Sequence, residues 1–282
     1  MAALALGTVQ FGLNYGIHNT SGQVPVDEVC SILEHAFAKG IDVLDTSAAY
    51  GDSEKALGTS LLVRQGAFKI VSKYPRSRDS VEDVLSVTLA KLGLSSIYGY
   101  MIHHFDFYKA YPEVWQKMKL LKEEGVVAKI GFSLYNPEEL EFLLERDLTL
   151  DIVQFPYNLL DRRFSPYLSV LKGMGTEIHT RSVFLQGLFF CEPDSLRDRL
   201  QPLRPYLERI NKFCVDYGVE KKTLALRAVL DNPYIDRVLI GVDSVAQLDQ
   251  DIEASVGDRF DMGQLLQELD VKEKILLNPS NW

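Results

Sequence analysis

The sequence predicts an α/β fold, a single (β/α)8 TIM barrel spanning residues 1–282, on three observations. Short apolar runs, too brief for helices, alternate with segments of helical periodicity through eight successive pairs. No shift in composition divides the chain, and about 250 residues is a usual length for one such barrel. The rival architecture, an open doubly wound sheet, usually stops near about six strands and often opens on a glycine-rich turn. Neither GxGxxG nor a P-loop pattern occurs, which counts against it.

Taken in order, a first strand is expected over residues 4–8, closed by Gly7 and Thr8. Residues 26–39 repeat apolar side chains at Val29, Ile32, Leu33, Ala36 and Phe37, the spacing of a helix face, and Gly40 stops the run. The run 41–44 is too short for a helix and reads as a buried strand ending in Asp45 and Thr46. A loop then carries Tyr50 and Gly51 into a helix over 53–63. A strand over 68–72 ends at Lys73, a helix follows over 80–92, and a strand over 98–102 ends in His103 and His104. A helix over 112–124 precedes a strand over 128–132 ending at Ser133. A helix over 137–146, with Pro137 in its first turn, precedes a strand over 152–155 that contains Gln154. A short helix over 166–172 leads to a strand over 177–180 reaching Arg181. Residues 184–204, broken by Gly187, Pro193 and Pro202, read as a long, loose loop. Helices over 206–217 and 223–231, a strand over 238–240, a helix over 244–253 and an appended helix or helix pair over 262–277 complete the chain.

Composition narrows the class. The 282 residues are 46% hydrophobic and 24% charged, an ordinary globular balance, and the net charge of −9 argues against nucleic-acid and anionic-membrane surfaces. Cys30, Cys191 and Cys214 lie far apart and in no metal-ligand spacing, so reduced thiols in a cytoplasmic protein and no metal site are expected. The first residues lack the basic and apolar regions of a signal peptide, and no apolar run approaches the roughly 18 residues of a membrane span.

Chemistry gathers where the strands end. In a barrel, the C-terminal ends of neighbouring strands converge on one mouth. Asp45 and Tyr50, then Lys73, then His103 stand at three successive ends. An acid, a phenol, an amine and an imidazole together suggest proton transfer to a polar substrate. A phenol titrates near ~10, and a lysine about 4 Å away at an effective dielectric of ~20 favours the phenolate by about 4 kcal/mol. Lys73 is therefore expected to depress the Tyr50 pKa, with Asp45 keeping the ammonium charged and His103 orienting a carbonyl oxygen. Singly, each residue has an ordinary structural explanation. Lys73 can cap a strand, Gln154 can be a satisfied buried amide, and Gly7 can be a turn residue.

The segments LGTVQFG (residues 6–12), DTSAAYG, SKY, YMIH, IGFS and VQFPYN resemble, in order, the motifs of the aldo-keto reductases, nearly end to end. The resemblance implies hydride transfer between a nicotinamide cofactor, NADP (NADPH) first and NAD possible, and an aldehyde, ketone or sugar-like carbonyl. Tyr50 would be the general acid, tuned by Lys73 and Asp45, and His103 would position the carbonyl. Ser133 and Gln154 would hold the nicotinamide carboxamide. Gly7, Thr8, Arg181, Ser182, Phe184 and Gly187 would line the cofactor groove, with Gly241, Asp243, Gln247 and Asp251 near its adenosine end. The chain departs from the family pattern at three points. Leu134 stands where Asn commonly follows the serine, Arg181 stands where an aromatic ring commonly stacks on the nicotinamide, and residues 241–251 hold no Lys or Arg for a 2′-phosphate. Arg181 is expected to stack in place of the aromatic, the alternatives being a side chain that swings into solvent or pairs with Asp161, or a clamp on an anionic substrate. The competing functions are a non-catalytic nicotinamide-binding regulatory module and a Schiff-base lyase using Lys73.

Overall fold

A computed structural model describes residues 2–16, 19, 22–257 and 261–282. Eight parallel strands close on themselves in chain order: β1 (Ala3–Gly7), β2 (Val43–Asp45), β3 (Lys69–Tyr74), β4 (Ile97–Ile102), β5 (Val127–Ser133), β6 (Ile152–Pro156), β7 (Glu177–Arg181) and β8 (Arg237–Gly241). Closure is made by β1 against β8, with Ala3 opposite Arg237 and Gly7 opposite Gly241. The predicted (β/α)8 barrel is the fold observed.

Successive strand residues point to opposite faces, and the burial follows that period. Leu6, Leu44, Ile70, Tyr100, Val153 and Ile240 join the large core between strands and helices. Their neighbours Ala5, Val43, Val71, Met101, Ile152 and Leu239, one from each of six strands, form a separate cluster inside the barrel. Two residues further along those strands, on the same inward face, stand Gly7, Asp45, Lys73, His103, Gln154 and Gly241. An apolar layer thus floors a polar one at the mouth.

Several segments differ from expectation. The helix expected over 53–63 is two short ones, Ser53–Leu57 and Leu61–Arg64. They part at Gly58, which lies against the Lys91 carbonyl, and Ser60, which is extended. Two short helices at the mouth, Val9–Gly12 and Phe105–Ala110, had no periodic signal long enough to read. The loop expected over 184–204 is a chain of 3-10 turns (Leu185–Phe190, Pro193–Ser195, Asp198–Leu203). It is pinned rather than loose. Leu185, Leu188, Phe189, Leu200 and Leu203 bury themselves in a second core with Leu207 and Ile210 of helix Arg204–Tyr217 and with Leu269 and Leu277 near the chain end. Among the described residues, no helix is long and apolar enough to cross a membrane.

Candidate active site

The barrel mouth holds a cavity of about 440 Å³, the size of a small-ligand site. Behind its wall lies Lys73, fully buried. Its ammonium donates to Asp45 Oδ1 at 2.5 Å, to the Thr46 carbonyl at 2.9 Å and to the Tyr50 hydroxyl oxygen at 3.5 Å. An ammonium has three N–H donors, so each has a partner. Because the phenol oxygen accepts from Lys73, its own proton is left for the cavity, which Tyr50 lines. The backbone around it sets Tyr50 in position. A Cβ on Gly12 would stand 1.8 Å from the Tyr50 carbonyl oxygen, so only glycine lets the two loops meet. Thr8 Oγ1 donates to the Asp45 carbonyl at 3.0 Å and ties the ends of β1 and β2 together.

The expected depression of Tyr50 by Lys73 is overturned by burial. Desolvation raises the Tyr50 pKa well above its ordinary value and the Asp45 charge adds to the rise, while Arg181 pulls it down. Burial also lowers the Lys73 pKa, with Asp45 opposing it. Desolvation penalises every charged form here, and Asp45 already compensates the Lys73 charge that would have favoured a phenolate. Tyr50 is accordingly a neutral phenol, a proton donor, at neutral pH. His103 is pushed down to about 2, by burial first and the Lys73 charge second, so its imidazole is neutral. His103 Nδ1 lies 3.1 Å from Ser47 Oγ, and the Ala49 N–H donates to that same oxygen at 3.1 Å. The rings of Tyr50 and His103 meet edge-on with centroids 5.7 Å apart, and His104 stacks on His103 at 4.7 Å.

Gln154 completes the wall. Its Nε2 donates to Asp45 Oδ2 at 2.7 Å. A carboxylate only accepts, which orients the amide and leaves Gln154 Oε1 buried without a hydrogen-bond partner among the described residues. Ser133 pairs with Gln154 across β5 and β6, and both line the cavity. An orphaned acceptor beside a hydroxyl matches the donor and acceptor of a carboxamide. The nicotinamide head implied by the resemblance therefore fits these residues.

Of the other residues singled out, Gly7, Thr8 and Arg181 line the cavity, as do Ser182, Phe184 and Gly187 beyond β7 and Gly241, Asp243 and Gln247 around the end of β8. Asp251 does not. It is buried on helix Val245–Ser255, one turn past Gln247, where it pairs with Lys222 at 2.8 Å and joins that helix to helix Lys221–Leu230. The alternative pair of Arg181 with Asp161 is absent, because Arg163 holds both Asp161 oxygens at 2.9 Å. Arg181 instead lays its guanidinium carbon 4.1 Å from the centroid of the Tyr135 ring and donates to the Leu134 carbonyl at 3.2 Å. Among the described residues, no group of three His, Cys, Asp or Glu is gathered as metal ligands.

Sequence reasoning passed over Ser47, Gln10, Tyr15, Tyr135, Asn278 and Pro279. Ser47 contacts His103, and the other five line the cavity. Gln10 lies inside the first motif, and its Nε2 donates to Asp243 Oδ1 at 3.0 Å. Tyr135 follows Ser133 by two, so the strand period carried a signal for it. Asn278 and Pro279 arrive from the far end of the chain with no local mark.

Comparison with known proteins identifies the family. The sequence profile of the aldo/keto reductase family matches residues 3–265. L-galactose dehydrogenase of Arabidopsis thaliana is 26% identical, across 97% of this chain and 91% of its own. D-threo-aldose 1-dehydrogenase of Pseudomonas sp. is 26% identical, across 89% and 91%. The holo form of an aldo-keto reductase from Bacillus halodurans, 18% identical over 95% of this chain and 92% of its own, shares the fold with a TM-score of 0.77. The chain belongs to the aldo/keto reductase family and is an NAD(P)H-dependent oxidoreductase.

Proposed function

We propose that the chain interconverts a sugar-like carbonyl and its alcohol, with Tyr50 as general acid in reduction and general base in oxidation. The observation that carries this is the Lys73 ammonium, whose three donors go to Asp45, Thr46 and the Tyr50 oxygen. A bound reduced nicotinamide supplies the hydride. The protein's part is to hold the proton on Tyr50 until negative charge grows on the substrate oxygen. As that proton leaves, the Lys73 N–H aimed at the phenol oxygen steadies the phenolate against the burial and the Asp45 charge that otherwise disfavour it. His103, neutral and backed by Ser47, offers its other ring nitrogen to the same oxygen. Gln154 and Ser133 would hold the carboxamide, and the apolar floor keeps water from the barrel interior.

Two observations bear on the rival activities. Lys73 is fully buried with its three donors engaged, which disfavours a Schiff-base role. The intact proton-holding cluster disfavours a purely regulatory module. A sugar-like substrate is favoured by the names of the relatives, which act on L-galactose and on D-threo-aldoses, and by the phenols of Tyr15 and Tyr135 at the cavity.

The family resemblance puts NADPH first, but the local charge favours NADH. Asp243 faces the cavity near the expected adenosine end, and the Val245 N–H at the adjoining helix start is already taken by Glu28 Oε1 at 3.0 Å. A carboxylate there repels a 2′-phosphate. Paired dissociation constants for NADH and NADPH test this, with tighter NADH expected. For the reaction itself, Tyr50→Phe should bind cofactor while losing turnover by ~10²–10⁴-fold. Near-wild-type turnover in that variant would falsify the assignment of the acid.

A further inference from the structure

Arg181 ends β7 at the cavity. Its rung on the barrel pairs it with Pro156, two residues nearer the mouth than the rung joining His179 to Gln154. The guanidinium is braced on one face by Tyr135 and donates from Nη2 to the Leu134 carbonyl. Among the described residues no carboxylate pairs with it, and the Asp161 within reach in sequence belongs to Arg163. A guanidinium has five N–H donors in a planar fork, and one of them is engaged here. Its charge opposes the burial that raises the pKa values of Tyr50 and Tyr15, and adds to the lowering that burial causes at Lys73 and His103. Arg181 therefore stands within electrostatic reach of the reacting oxygen.

A half-buried cation without an anion costs desolvation energy that only a partner returns. Of the carboxylates on the cavity wall, Asp45 is taken by Lys73 and Gln154 and Asp243 accepts from Gln10, so neither pairs with Arg181, while the net charge of −9 gives the molecule as a whole no general attraction for anions. An unmet cation in such a cavity acts as a selective feature. A planar fork, held flat by a ring and unmet on its remaining edge, matches a carboxylate through two parallel hydrogen bonds. We propose that Arg181 is an anion subsite of the catalytic cavity, and that the preferred substrate is a carbonyl compound or polyol bearing a carboxylate. This rests on Tyr50 being the reaction centre.

The test pairs substrates that differ in one carboxylate: 4-carboxybenzaldehyde with benzaldehyde, and D-glucuronate with D-glucose, at saturating NADH and again at saturating NADPH. In the wild-type protein kcat/KM should favour the carboxylated member by on the order of 10- to 100-fold, the strength of a charged hydrogen-bond pair. Arg181→Met should collapse that ratio to near one, and Arg181→Lys should restore part of it. An equal loss on both members, or a loss that follows the cofactor dissociation constant, would assign Arg181 to the cofactor and overturn the proposal. Calorimetric binding of benzoate against benzyl alcohol needs no turnover and separates this proposal from the catalytic one. Benzoate preference in the wild type that is lost in Arg181→Met supports the subsite even where Tyr50→Phe disproves the proposed acid. No preference for benzoate refutes the subsite even in an active reductase.

Discussion

The Ser47 hydroxyl has one proton and, among its contacts, one acceptor, the Nδ1 of His103. Its oxygen takes the Ala49 N–H, and giving the hydroxyl proton a partner requires it to donate to Nδ1, which leaves the imidazole proton on Nε2. That tautomer presents a donor to a carbonyl oxygen. Ser47→Ala should let both tautomers populate and lower kcat by about threefold to tenfold, a modest share of the effect of general acid–base catalysis. Cofactor affinity should stay unchanged, and Ser47→Thr should recover the rate. Nitrogen-15 shifts of His103 report the tautomer directly, and an unaltered spectrum in the alanine variant would sink the argument. Lys73→Met should be harsher, because it strands the buried Asp45 carboxylate. Losing one partner of a buried pair costs about 3–5 kcal/mol, so a lower urea midpoint should accompany a kcat loss of at least ~10²-fold. At this scale the sequence was legible in residue identity and not in environment. Asp45, Tyr50, Lys73 and His103 could be named from strand ends. The sign of the Tyr50 shift could not, because it turns on burial that no spacing reveals.

The element scale is where the site is assembled. Apolar residues at Ala5, Val43, Val71, Met101, Ile152 and Leu239 precede polar or small ones by two, so one strand period writes both the floor and the active layer. That pattern was open to reading, and so were the strands themselves. Hidden were contacts between loops, such as Gly12 against Tyr50. Gly12→Ala should push the Tyr50 loop outward, since its Cβ would also stand 2.4 Å from the Ser53 nitrogen. Overpacking of this kind typically costs about 1–3 kcal/mol. Kinetics and thermal melting together check it. Turnover should fall further than cofactor affinity, and a wild-type melting temperature with full activity would contradict the contact. Asp251 misled for a related reason. Four residues along a helix keep the same face but move one turn from the strand end, and Lys222 waits there.

Over the whole molecule, neutral histidine ties stability to acid. His103 carries a pKa of about 2 in place of the ordinary 6.5, so the unfolded chain binds a proton that the folded one refuses. Stability from this group is complete above about pH 6.5 and declines as pH falls below it, by up to about 1.4 kcal/mol per pH unit. His104, lowered by burial as well, acts in the same direction. Urea midpoints at three pH values between 7 and 5 should therefore fall more steeply for the wild type than for His103→Asn, and equal slopes would contradict the account. Long-range assembly was the least legible level. The second core draws on residues 159–277, and two of its neighbours in the chain, Asn278 and Pro279, reach back to the cavity. Chain pairings over such distances leave no local periodicity.

Asp45 gives Oδ1 to Lys73 and Oδ2 to Gln154. One carboxylate is thus common to the proton-holding group and to the wall that fits a carboxamide. A donor arriving at Gln154 Oε1 polarises the amide, strengthens its N–H towards Asp45 and draws charge away from the oxygen facing Lys73. Carboxamide occupancy and the proton on Tyr50 are then two ligands with a coupling free energy between them, and such coupling is reciprocal. With a carboxamide at Gln154, as proposed, cofactor should shift the Tyr50 titration by the same amount by which ionising Tyr50 shifts cofactor affinity. Gln154→Leu would cut that link while leaving Lys73 and Tyr50 where they are, so the two equilibria would become independent.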